Sequence, residues 1–213
     1  MCEKPILFST EMVRAILDGR KCQTRRVIKP QPPDKAGKIV MLGVDELSPG
    51  FITETTLVAA GSDWGLKAPW QPGDVLWARE TWGILNLDYH PINVGNPNYP
   101  VIYVYKADHI TGNDGPERIK WRPSIHMPKS AARIWLEVTN VRVERVQEIT
   151  AHECILEGIS SEDVLYNTPV SGDFAQYTIN QFKNLWNSIN AKRGYGWDSN
   201  PWVWVISFER RVG

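Results

Sequence analysis

The stretch PWVWVISFER, residues 201–210, places apolar side chains on both faces of one extended segment. Trp202, Trp204, Ile206 and Phe208 share one face, and Val203 and Val205 the other. A strand apolar on both sides needs a covering layer above and below, which predicts a central core strand. Residues 132–146, ARIWLEVTNVRVERV, alternate well enough for a second long strand, or two strands with a bend. The chain has 213 residues, enough for one large domain or two small ones. With 42% hydrophobic and 23% charged residues it matches globular composition, which excludes general disorder.

Around these strands the punctuation is legible. Ser9 or Thr10 caps a helix whose apolar face is Met12, Val13, Ile16 and Leu17, and Gly19 ends it. Residues 19–29, GRKCQTRRVIK, read as a turn into a strand stopped by Pro30, Pro32 and Pro33. Two β-like runs within 38–60 read as an inserted hairpin. Pro72-Gly73-Asp74 launches a strand over 75–82, and 101–107 is another. Residues 86–100 and 108–120 read as loops. Thr150 with Glu153 forms a capping box for a short helix ending near Gly158. Ile179, Phe182, Leu185, Trp186 and Ile189 predict a helix over 175–190. Short strands separated by loops and single helices predict an α+β fold built on a small mixed or antiparallel β-barrel with flanking helices.

Several function classes drop out. Lys+Arg and Asp+Glu both number 24, so the chain lacks the positive excess of a non-specific duplex binder, although a local basic cleft is compatible. No run of 18 apolar residues is present, and the N-terminal segment lacks the pattern of a secretory signal. Cys2, Cys22 and Cys154 are widely spaced and argue for neither a disulfide framework nor a zinc site. His90, His109 and His152 show no metal spacing, so no metal or cofactor is expected, and the expected compartment is a reducing cytoplasm.

Candidate chemistry gathers in three places. Arg20, Lys21, Arg25, Arg26 and Lys29 crowd one ten-residue stretch with Thr24. This is either an anion-facing strand or a solvated edge strand guarded by charge. In a strand from Val75, Glu80 shares a face with Leu76, Ala78 and Trp82. A carboxylate so placed either walls a cleft with a shifted pKa or pairs with an arginine, near (Arg79) or distant. Tyr195 and Trp197, in a Gly-rich loop with Arg193, either stack on an unpaired base or fold back on the core. Ser124 and His126 sit between two prolines without a third triad member. Glu153 and Glu157, four apart, read as a solvated helix face.

The order of these motifs resembles the ASCH domain of the PUA-like superfamily, in particular its larger phage and prophage members. The residues carrying the resemblance are GRKCQTRR after the first helix, Pro-Gly-Asp leading to a strand ending in Glu80, and the helix of residues 149–159. KWRPSIHMP at 120–128 and RGYGWDSNPWVW at 193–204 add to it. It implies one PUA-like domain over 1–213, with insertions at about 30–68 and 86–119. It further implies a cleft suited to RNA or nucleoside ligands, and the residues expected to bind the ligand, from their chemistry and placement, are Arg20, Arg25, Arg26, Arg79, Ser124, His126, Tyr195 and Trp197. One branch of the family hydrolyses the amide of N(4)-acetylcytidine, and Lys21, Thr24 and Glu80 match its catalytic positions.

Such hydrolysis requires a base for the threonine hydroxyl and donors for the oxyanion. Lys21 serves only when neutral; Arg25 and Arg26 favour that state, and a close Glu80 opposes it. The expectations are therefore a binder of RNA, nucleotide or modified nucleoside, or an amidohydrolase on the same residues. The alternative is a phage-related interaction or assembly factor without catalysis.

Overall fold

The computed structural model describes residues 2–33, 39–42, 56–59, 65–84, 102–108, 119–160 and 173–211. Its centre is a mixed five-stranded sheet in the order β1-β6-β9-β10-β2. These strands are β1 (Glu3–Leu7), β2 (Gln23–Val27), β6 (Val75–Arg79), β9 (Trp135–Arg145) and β10 (Trp202–Arg210). Only the β1–β6 pair is parallel. A three-stranded antiparallel sheet joins β3 (Ile39–Leu42), β4 (Thr56–Ala59) and β5 (Gly65–Lys67). The two β-like runs within 38–60 are thus paired as antiparallel strands, and a third strand joins them. A two-stranded sheet pairs β7 (Trp82–Ile84) with β8 (Tyr103–Tyr105).

β10 is central and covered on both faces, as its pattern requires. Trp204, Ile206 and Phe208 join Leu76, Leu136 and Val138 in one core, closed by Val13 and Ile16 of helix α1 (Thr10–Leu17). Val203 and Val205 join a second core with Cys154 of α2 (Ala151–Leu156) and Phe182 and Trp186 of α3 (Phe174–Asn190). The Ser9 hydroxyl caps α1 by accepting from the Met12 N–H at 3.3 Å. The capping box of Thr150 and Glu153 opens α2, and Asp173 caps α3.

One expected strand is shorter than its pattern. β6 ends at Arg79, and the chain leaves the central sheet at Glu80 and Thr81 before β7. Leu76 and Ala78 lie in the first core, while Trp82 packs in a separate cluster with Met127 and Ala131. The alternation over 75–82 continues across the break, so period alone could not reveal it. The loop expected at 86–100, and nearly all of that at 108–120, lie outside the described residues, as does much of each proposed insertion.

The central sheet has two edges, β1 and β2, and no backbone ladder joins them among the described residues. They nevertheless approach each other. Arg26 of β2 donates from Nη2 to the Leu7 carbonyl at the end of β1, at 2.7 Å, and its guanidinium stands 5.4 Å over the Phe8 ring. Among the described residues no helix is long and apolar enough to cross a membrane.

Candidate functional site

The register of β2 on β10 sorts the basic segment onto two sides. Thr24 and Arg26 lie opposite Ile206 and Trp204, on the α1 side; Arg25 lies opposite Val205, on the α2 and α3 side. Arg25 is buried at 3% exposure, so its charge needs partners within the protein. It finds them on β9 and α2. Nη2 meets Glu144 at 2.9 Å and Glu153 at 3.2 Å, and Nη1 meets Glu157 at 3.2 Å and the Gln23 amide oxygen at 3.0 Å. Arg142 ties Glu144 to Glu153 from the other side.

Lys21 belongs to the same network. Its ammonium donates to the Gln23 carbonyl at 2.7 Å, the Glu157 carbonyl at 2.7 Å and the Glu157 carboxylate at 2.9 Å. All three of its donors are engaged. Burial pushes the Lys21 pKa down, Glu157 pulls it part-way back, and Arg26 and Arg25 lower it further. The close seating of α2 on this lysine depends on Gly158. Its φ is +100°, and a Cβ there would meet Ala15 Cβ at 3.0 Å and Lys21 carbons at 3.4 Å.

The acidic pair on α2 is therefore not the solvated face its spacing suggested. Glu157 is 4% exposed, and Glu153 is half-buried between Arg25 and Arg142. Burial raises the Glu153 pKa, but the N-cap hydrogen bonds from Thr150 and the charges of Arg25 and Arg142 outweigh it, so the net shift is downward. The i, i+4 spacing marks one helix face but does not say what that face meets. The unpaired bases of residues 20–29 were the available hint to these partners.

Glu80 is held elsewhere. Its carboxylate takes a bidentate grip from Arg133, Nε to Oε1 at 2.9 Å and Nη2 to Oε2 at 3.0 Å. Arg133 also bonds Asp108 at 2.8 Å and lies 3.9 Å over the Tyr105 ring. Burial raises the Glu80 pKa against the opposing pull of Arg133. The distant arginine is thus the partner, and the structure gives Lys21 a different carboxylate, Glu157. Arg79 donates to the Ile125 carbonyl, which places it beside the short 3-10 turn Ser124–His126, with Ser124 half-buried and His126 exposed. Arg20 pairs with Asp18 at 2.9 Å and reaches the Gly158 carbonyl at 3.3 Å.

A cavity of about 280 Å³ opens where β2, α1 and α3 meet. Thr24, Arg25 and Arg26 reach it from β2, Met12 from α1, and Trp70 from the segment before the β6 turn. From α3 come Phe182, Leu185, Trp186 and Ile189, one helical face. Trp186 is fixed by its indole N–H, which donates to the Tyr195 carbonyl at 2.8 Å. Exposed Lys29 and Arg193, with Val27, Glu157 and Asn190, complete the lining. Lys29 stands 4.9 Å over the Tyr195 ring, so Tyr195 sits beside the cavity, whereas Trp197 packs edge-on against Phe182. Neither Glu80 nor Arg79, Ser124 or His126 lines it.

No protein-family model, no curated protein and no solved structure matches the chain. Its chemistry therefore rests on the site itself. Among the described residues no group of three or more His, Cys, Asp or Glu is placed to hold a metal ion. The three carboxylates gathered at α2 and β9 are already satisfied by Lys21, Arg25 and Arg142.

Proposed function

We propose that this chain is an ASCH-type, PUA-like domain that binds a nucleoside unit, free or as part of RNA, in the cavity between β2 and α3. The approach of β1 to β2 through Arg26 supports a barrel-like closure of the sheet. One observation carries the binding reading: the cavity joins two tryptophans, Trp70 and Trp186, to three cations, Arg26, Lys29 and Arg193. Aromatic faces beside guanidinium groups suit unpaired bases. A volume near the lower end of the about 300–1,000 Å³ typical of ligand pockets suits one nucleoside rather than an oligonucleotide.

Binding is favoured over hydrolysis of an acylated pyrimidine nucleoside. Thr24 reaches the cavity, but the Lys21 amine is fully hydrogen-bonded and Glu80 is committed to Arg133. A base and a nucleophile must share hydrogen-bond reach of the reacting proton. The test is calorimetric titration with nucleosides, nucleotides and short single-stranded RNA, with mass-spectrometric assay of N(4)-acetylcytidine. Saturable binding that Ile189→Trp abolishes without unfolding is expected, since Ile189 is a partly exposed cavity residue. Binding untouched by that substitution places the ligand elsewhere. Absence of any binding leaves the assembly-factor reading.

A further inference from the structure

We infer that the cavity selects a nucleotide bearing a terminal phosphomonoester, whose phosphate is held by Arg26, Lys29 and Arg193. The inference rests on the nucleoside-binding reading and adds the charge of the ligand. It follows from charge accounting around the cavity. The buried network beneath it holds three cations, Lys21, Arg25 and Arg142, and three carboxylates, Glu144, Glu153 and Glu157. Its formal charges cancel, so Arg25 and Glu157 bring no net charge to the lining.

Three cations remain. Arg26 spends Nη2 on the Leu7 carbonyl and faces the Phe8 ring, Lys29 faces the Tyr195 ring, and none of Arg26, Lys29 and Arg193 has a carboxylate partner among the described residues. Burial lowers the Arg26 pKa and Glu157 offsets this only in part, so a further anion beside it would reduce its desolvation cost. Phosphate monoesters carry about −1.5 to −2 charges at neutral pH and offer three acceptor oxygens, a match for three donors of this kind. A neutral nucleoside would bring no anion to these three cations. An internal phosphodiester carries a single charge and continues the chain on both sides, which a cavity of this size does not accommodate. The contacts on Phe8, Tyr195 and the Leu7 carbonyl hold Arg26 and Lys29 in place before binding, which lowers the ordering cost.

The phosphomonoester can come from a free mononucleotide or from the end of an RNA strand, and calorimetry separates them. The ligands are the four ribonucleosides, their 5′-monophosphates, inorganic phosphate, and one RNA tetramer with a 5′-phosphate, a 3′-phosphate or neither. Monophosphates are expected to bind about tenfold or more tightly than nucleosides, since charge-assisted hydrogen bonds are added. That gain should shrink as salt rises. Lys29→Ala and Arg193→Ala, both at exposed positions, should erase much of the gain, weakening monophosphates far more than nucleosides. Arg26→Lys should reduce it without removing the charge. Tight tetramer binding only with a terminal phosphate assigns RNA ends, and exclusion of all tetramers assigns the free mononucleotide. Nucleosides binding as tightly as monophosphates overturn this inference while sparing the nucleoside reading. If neither class binds, both fall.

Discussion

At the scale of single residues, the decisive fact is that Lys21 and Arg25 are buried cations that share one carboxylate, Glu157, the only ion-pair partner of Lys21 among the described residues. Removing that carboxylate leaves the buried Lys21 charge without a counterion and takes one of three from Arg25. Glu157→Ala should therefore cost about 3–5 kcal/mol in denaturant unfolding, far above a surface change. A loss below about 1 kcal/mol would mean the network is not closed as described. Glu80 gives a pH signature. Its folded pKa is raised above 4.5, so its contribution to stability is fully present below that value and lost as pH rises through the folded value. Unfolding free energies from about pH 4 to 7 should show wild type losing ground to Glu80→Gln as pH rises. A wild type that gains ground instead would reverse the assignment. The Cys154 thiol, pushed by burial up to about 12, should resist thiol reagents in the folded protein while exposed Cys2 reacts. Equal rates for the two would show that α2 opens freely.

At the scale of elements, α2 matters most, because six helical residues deliver Glu153 and the turn that carries Glu157. Thr150→Ala removes the cap and should cost about 1 kcal/mol, or about 2–4 °C in Tm. Gly158→Ala should cost more than about 1 kcal/mol, since it combines a positive φ with a close approach to Ala15. Calorimetric melting checks both, and an unchanged Tm for Gly158→Ala would show that the turn can relax. These elements were readable in the sequence because local signals define them: caps at Ser9 and Thr150, helical spacing from Ile179 to Ile189, and the two-faced pattern of β10. The end of β6 was not readable, since Trp82 continues the alternation while packing in another cluster. The inward face of α2 was hidden for a similar reason. Spacing placed Glu153 and Glu157 together, but only the tertiary fold sets them against Arg25. Arg133 lies 53 residues from Glu80, and nothing local links the two.

At the scale of the whole molecule, β2 is an edge strand that does not face solvent as edges usually do. α1 and α3 flank it, its own arginines point to opposite sides, and the cavity occupies the space between. The basic run of residues 20–29 thus serves two purposes that composition cannot separate. Lys21 and Arg25 hold α2 to the sheet, while Arg26 and Lys29 line the cavity. The same separation explains why Glu80, close to the segment that Arg26 reaches, belongs to a different set of contacts around Arg133.

The most direct test is a proton–nitrogen correlation spectrum of the labelled protein, titrated with a nucleoside monophosphate. The account predicts saturable shifts of the Trp70 and Trp186 indole signals and of the Thr24–Val27 amides, with the Trp82 and Trp121 indoles unmoved. Shifts confined to the Trp82 cluster, or no shift at saturating ligand, would contradict it.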